Sequence, residues 1–259
     1  MWNELRTDAY EAMMAETVTF AGHGGDRVRG YLSRPLGPGP YPSIVLIPHM
    51  PGWDELNREV ARRYTQHGFT VLCLNIYERF GHGQPAEVAE RARAAGGVPD
   101  ATVMGDTAGA LDYLTGSANS NGLVGVTGMC SGGRHAFMAG CQVPGVAAVV
   151  DCWGGGVVMA EEELSPARPV APITMTSQLQ CPLLGIFGND DVAPSPEQVD
   201  LHEAELARHG KEHVFHRYDG VGHAIWNYAR DTYRGTVAID SWNQALAFFD
   251  QHLRPGHLP

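Results

Sequence analysis

No stretch of this chain approaches the roughly 18 consecutive apolar residues that a membrane-spanning helix needs, which argues against a membrane partner. Charge is sparse. Only 18% of the 259 residues are charged and 44% are apolar, a balance that disfavours extensive disorder and suffices for one substantial core. The formal charge is −11, so a nucleic-acid backbone is repelled rather than bound. The first sixteen residues carry Glu4, Asp8, Glu11 and Glu16 and lack the basic start and apolar centre of a secretion signal. Cysteine is infrequent: Cys73, Cys130, Cys141, Cys152 and Cys181 are odd in number and show no CxxC spacing. That pattern reads as reduced, cytoplasmic thiols rather than a disulfide framework or a zinc site. The twelve histidines show no HExxH or other ligand spacing, so no metal and no cofactor is expected.

The remaining sequence alternates strand-like and helix-like segments. Residues 17–21 and 28–33 predict a β-hairpin about the glycine-rich turn at 23–26, followed by a Pro/Gly connector over 35–42. Continuous apolar runs at 43–48, 70–75, 122–128, 145–153 and 182–188 suit strands buried on both faces of a parallel sheet. A further strand is predicted at 213–220. Helical patterns fall near 56–67, 86–95, 101–115, from about 131, 196–209 and 235–252, and 155–181 reads as an irregular surface excursion. This order predicts an α/β protein with a doubly wound, mostly parallel sheet flanked by helices, forming a single domain over 1–259. Ligands of such sheets sit beyond the carboxyl ends of the strands, which directs attention to the loops after residues 48, 75, 128, 153, 188 and 220.

The strongest motif is Gly128-Met129-Cys130-Ser131-Gly132-Gly133, between an apolar strand and a helical segment. It has the form of a nucleophile elbow, G-x-S-x-G, with cysteine in the serine position. The tight turn strains the nucleophile's backbone, and Gly128 and Gly132 leave room for the flanking strand and helix. The positive end of the following helix favours thiolate, and the Ser131 N–H is placed to donate to an oxyanion. No P-loop lysine follows these glycines, which excludes the phosphate-cradle alternative. Cys73, Cys141, Cys152 and Cys181 read as ordinary core thiols. An elbow of this kind requires an acid and then a histidine later in the chain. Asp190 after the strand at 182–188 and His223 after the strand at 213–220 satisfy that order. The competing role for Asp190 is a cap or Asx turn before the helix at 196, and Asp191 is assigned that lesser role.

With GMCSGGRHAF (128–137), FGNDDVAPSP (187–196), GVGHAIW (220–226), LIPHMPGWDELNRE (46–59), LNIYERFG (74–81) and SWNQALAFFDQHL (241–253), the chain resembles the dienelactone hydrolase (carboxymethylenebutenolidase) family over nearly its whole length. The resemblance implies an α/β-hydrolase fold and a metal-free, cofactor-free Cys-His-Asp hydrolase, with Cys130 as nucleophile, His223 as base and Asp190 orienting it. It implies Met50 as the second oxyanion donor. His49 stands where the family has a glutamate beside the resting thiol. Arg79 matches one of the family's two carboxylate-binding arginines, and Asn227 stands in place of the other. An asparagine cannot supply the lost charge, so a larger or less anionic substrate is expected. Trp53, Trp153 and Trp226 fall on loops at the same edge, where they either line an aromatic pocket or pack beneath the loops.

The expected activity is therefore hydrolysis of a small-molecule ester or lactone by a monomer or homodimer through a thioester acyl-enzyme. The alternatives are a broad-specificity carboxylesterase or thioesterase, and a non-catalytic ligand-binding protein on a hydrolase fold.

Overall fold

The computed structural model describes residues 12–254. Its strands are β1 (Met13–Ala21), β2 (Arg27–Pro35), β3 (Tyr41–Ile47), β4 (Thr70–Leu74), β5 (Ser120–Met129), β6 (Val146–Cys152), β7 (Leu183–Gly188) and β8 (His213–Tyr218). The helices are α1 (Glu55–Gln66), α2 (Pro85–Ala94), α3 (Asp100–Thr115), α4 (Ser131–Gln142), α5 (Pro196–Arg208) and α6 (Gly235–Leu253). The strands form one sheet in the order β1-β2-β4-β3-β5-β6-β7-β8. The β1–β2 hairpin and the β2–β4 pair are antiparallel, and every pair from β4 to β8 is parallel.

The continuous apolar strands are buried on both faces, as their composition predicts. On β3, Val45 and Ile47 join a cluster with Val103, Leu111 and Phe137 of α3 and α4. Ile44 and Leu46 point the other way, into a cluster with Tyr64, Trp242 and Phe249 of α1 and α6. Side chains alternate across a strand, so a run buried in both layers must be apolar throughout. The hairpin strands are longer than predicted, because β1 is an edge strand whose first residues pair through backbone while burying little. Such pairing leaves no hydrophobic pattern to read. Within residues 155–181 the chain forms two short 3₁₀ turns at Glu161–Glu163 and Pro172–Gln178.

The order β4-β3-β5 positions the site. After β3 the chain crosses to β4 on one side, then returns by α3 to β5 on the other. Ile47 pairs with Gly128, so the loop leaving β3 and the turn leaving β5 emerge side by side at this switch point.

Candidate active site

Cys130 links β5 to α4 with φ 56° and ψ −123°, a left-handed conformation that a non-glycine residue adopts only under constraint. Its N–H donates to the Cys152 carbonyl at 3.0 Å, tying the turn to the end of β6. The flanking glycines are steric requirements. A Cβ on Gly128 would lie 2.1 Å from the Gly132 carbonyl oxygen, and one on Gly132 would lie 2.1 Å from the Ile47 oxygen. Both obstacles are backbone and cannot rotate away. The same closeness presses the loop after β3 against the elbow. Ser131 is the first residue of α4, so its N–H belongs to the unpaired donors of a helix start.

His223 follows β8, on a loop that closes tightly on the turn after β7. A Cβ on Gly188 would meet the Val221 oxygen at 2.2 Å, and the Asp190 N–H donates to that same oxygen at 2.9 Å. His223 Nδ1 lies 2.7 Å from Asp191 Oδ2. The partner is thus Asp191, and the expectation of Asp190 is corrected: Asp190 is exposed, whereas the Asp191 side chain is only 2% exposed. The turn role foreseen for Asp191 is also present, because its Oδ1 accepts the Ala193 N–H at 3.0 Å. One carboxylate braces its own turn with one oxygen and holds the imidazole with the other. Burial alone would lower the His223 pKa. Hydrogen bonds to Asp191 and Cys130, and the charges of both, outweigh it and raise the value to about 9. Cys130 thus acts on His223, which is hydrogen-bonded in turn to Asp191.

His49 points its Nε2 at Asp54 Oδ2, 2.7 Å away. Asp54 is also the N-cap of α1, its Oδ1 accepting the Asn57 N–H at 3.0 Å. Burial pushes the Asp54 carboxyl up, but the hydrogen bond and charge of His49, with the Asn57 donors, bring it below its ordinary value. That nitrogen of His49 is therefore committed to a structural carboxylate. Met50 lies in the turn closed by the Gly52 N–H on the His49 carbonyl at 2.6 Å, and its side chain is exposed. The Met50 N–H has no acceptor among the described residues.

Four expected substrate-binding residues are engaged elsewhere. Arg79 donates through Nη1 and Nη2 to buried Asp106 at 2.8 and 2.9 Å, and through Nε to Asp26 at 2.8 Å. Three of its five N–H donors hold α3 to the hairpin turn, and the charge is already matched by two carboxylates. Trp153 and Trp226 are 1% exposed and pack edge to face, ring centroids 5.3 Å apart. Trp226 Nε1 donates to Ser241 Oγ at 2.9 Å, which places these indoles in the core beneath the loops. Asn227 accepts the Ala229 N–H at 3.0 Å and so braces its own loop.

Trp53 does line a cavity. The space is about 360 Å³ and is bounded also by Arg29, Arg58, Asn75, Tyr77 and His82. Tyr77 is close enough to the nucleophile to feel its charge. Burial raises its phenol pKa, Arg93 opposes that, and the nearby Cys130 adds to the rise. Tyr77 and His82 lie in or beside a stretch the sequence marks only as polar and Gly-rich, and Arg58 sits within an ordinary amphipathic helix pattern. No local signal separates them from surface residues. Among the described residues no cluster of three or more histidines, cysteines or acids has the arrangement of a metal site, and no helix is long and apolar enough to cross a membrane.

A mixed eight-stranded sheet flanked by helices, with a cysteine elbow after β5, defines an α/β-hydrolase-fold protein. Residues 28–253 match the dienelactone hydrolase family, and the chain belongs to that family, whose members hydrolyse ester and lactone bonds. It is 28% identical over 228 residues to a Methylorubrum extorquens protein provisionally named carboxymethylenebutenolidase, covering 87% of this chain and 77% of the other. A Bradyrhizobium protein provisionally named 2-oxo-3-(5-oxofuran-2-ylidene)propanoate lactonase is 25% identical over 246 residues, covering 93% and 98%. The crystal structure of a Klebsiella pneumoniae protein, provisionally described as a dienelactone hydrolase, superposes with a TM-score of 0.83 at 25% identity, covering 93% of this chain and 99% of the other.

Proposed function

We propose that this protein hydrolyses an activated ester or lactone by covalent catalysis, with Cys130 as nucleophile, His223 as acid and base, and Asp191 as the group that orients His223. The observation that carries this reading is the line from the strained elbow cysteine through His223 to a buried carboxylate at 2.7 Å. With His223 raised to about 9, the imidazole enters the cycle protonated at neutral pH and holds the proton that the leaving group will take.

The Cys130 sulfur attacks the carbonyl carbon, forming a C–S bond while the carbonyl π pair moves onto oxygen. The Ser131 N–H at the start of α4 and the Met50 N–H are the donors available for that oxyanion. Collapse breaks the C–O bond, and the departing alkoxide or enolate takes its proton from the imidazolium. The neutral imidazole then removes a proton from water, the hydroxide adds to the thioester, and thiolate departs as the acid product forms. Asp191 holds the Nδ1–H throughout and keeps the other nitrogen facing sulfur.

Sulfur narrows the substrate range. A thiolate is a better leaving group than a simple alkoxide, so the first intermediate reverts unless the oxygen leaving group is stabilised. Enol lactones and aryl esters meet that condition. The test is hydrolysis of a dienelactone and a neutral aryl acetate by the wild type and Cys130→Ala, with intact-mass detection of an acyl adduct. Loss of turnover and of the adduct in Cys130→Ala is expected. Retained turnover would remove Cys130 from the mechanism. Comparable wild-type rates on both substrates would favour the broad esterase reading.

A further inference from the structure

A second cavity opens at the amino ends of the parallel strands, at the end of the sheet opposite the elbow. It measures about 330 Å³, within the range of a small-molecule site. Its walls are Arg34 on β2, Ser43 and Thr70 at the starts of β3 and β4, and Tyr113 near the end of α3. Side chains alternate along a strand. Ser43 and Thr70 pair across the β3–β4 ladder, and both face α3, because the residues that follow them, Ile44 and Val71, belong to the opposite layer. Arg34 shares a face of β2 with Leu32, which packs in the cluster of Leu111 and Leu114 from α3. Four separate elements thus bring polar side chains to one space.

These groups find no partners within the chain. Ser43 is 1% exposed, and its hydroxyl has no hydrogen-bond partner. A buried unmet hydroxyl is costly, and native structures rarely keep one without a use. Two charges flank it on the hairpin. Arg34 lies opposite Met14 and Glu16 opposite Leu32, so the two are diagonal neighbours on the cavity side. Among the described residues neither the half-buried Arg34 nor the exposed Glu16 forms an ion pair.

The pattern of donors and acceptors defines what the cavity complements. One guanidinium presents a planar edge to a carboxylate. The Ser43 and Thr70 hydroxyls each donate and accept, and so match a hydroxyl rather than a methylene. A purely apolar acid would leave the Ser43 hydroxyl unmet. Glu16 accepts from a further hydroxyl and repels a second negative charge, as does the net charge of −11.

We propose that this cavity is a second, non-catalytic binding site for a small monoanionic hydroxy acid, its carboxylate on Arg34 and a hydroxyl on the Ser43–Thr70 pair. Ile47, which pairs with Gly128 of the elbow, lies four residues beyond Ser43, about 13 Å along the strand. An occupant of this cavity therefore does not reach Cys130, and the site is independent of the hydrolase reading.

Calorimetry with gluconate tests the site, with sorbitol as the polyol lacking the carboxylate and hexanoate as the acid lacking the hydroxyls. Gluconate should bind about tenfold or more tightly than either. Arg34→Gln should weaken gluconate by about tenfold or more, and Ser43→Ala by about five- to tenfold. Thermal unfolding without gluconate separates binding from a structural role. Ser43→Ala removes a hydroxyl that nothing satisfies in the empty cavity, so it should melt at or above the wild-type temperature. In steady-state hydrolysis of an aryl ester, saturating gluconate should leave KM unchanged. Absence of gluconate binding, binding that both variants retain, a Ser43→Ala protein that melts below wild type, or competition between gluconate and the ester would each overturn the inference. The calorimetry decides the matter whether or not any ester is turned over.

Discussion

Replacing Asp191 by asparagine tests the central line of the site most directly, with Asp190→Asn as its neighbour control. Asp191 is buried, and its Oδ2 lies 2.7 Å from His223 Nδ1. With Asp191 and Cys130 beside it, His223 titrates at about 9. Returning that group to its ordinary value of about 6.5 is worth about 3 kcal/mol, and about 2 kcal/mol once a third of the side chain is credited to water. Part of the rise comes from Cys130, so about 30-fold is the most that loss of the Asp191 charge alone can remove from the ion pair. Asparagine can also donate to Nδ1 and turn the imidazole to the wrong tautomer. The two effects together should lower kcat/KM at neutral pH by about 10²–10³-fold. The assay is kcat/KM on an aryl ester from pH 5 to 10, together with the rate of Cys130 alkylation by iodoacetamide over the same range. In Asp191→Asn the basic limb of the profile should move down in pH. Asp190→Asn should stay within about threefold of wild type, as an exposed side chain with no part in the line. A larger loss in Asp190→Asn, or an unshifted profile in Asp191→Asn, would refute the assignment.

Two further outcomes follow from the packing around the elbow. Asp151 is fully buried behind it, accepting the Gly154 N–H at 2.8 Å with its second oxygen unpartnered. Burial, only partly offset by that bond, raises its carboxyl to about 7. The folded state then holds a proton that the unfolded chain releases near 4, so stability should fall as pH rises from about 4 through 7. That loss is at most about 4 kcal/mol. Denaturant unfolding of Asp151→Asn should show a smaller difference between pH 5 and 8 than wild type, and an unchanged difference would discard the account. His223 is raised too, so its contribution is fully present below about 6.5 and is lost as pH climbs through about 9, a higher window that Asp151→Asn should leave intact. Gly132→Ala puts a methyl 2.1 Å from the Ile47 oxygen, and should cost about 1–3 kcal/mol by thermal unfolding together with most of the activity. A variant with wild-type melting and turnover would show that the elbow has more room than its backbone spacing allows.

Some of the site is written locally and is legible in the chain. The continuous apolar strands follow from a sheet buried on both faces, and Gly128, Cys130 and Gly132 from a turn whose backbone clearances admit no side chain at the first and last. The cysteine, acid and histidine follow one another because each must close a different strand. What the sequence by itself determined was therefore the architecture, the elbow and the loops that carry the acid and the histidine. Tertiary structure decided which atoms meet. Asp190 and Asp191 are adjacent and chemically identical, and only the packing of the 188–191 turn against the 220–223 loop buries the second and exposes the first. Arg79 matches a clamp position, but Asp106, 27 residues on, is buried and holds its fork. Trp53 lines the cavity while Trp153 and Trp226 pack edge to face in the core, although all three occupy loops at one sheet edge. Local pattern reports burial along a strand or helix, whereas partnership is settled through space by groups far apart in the chain.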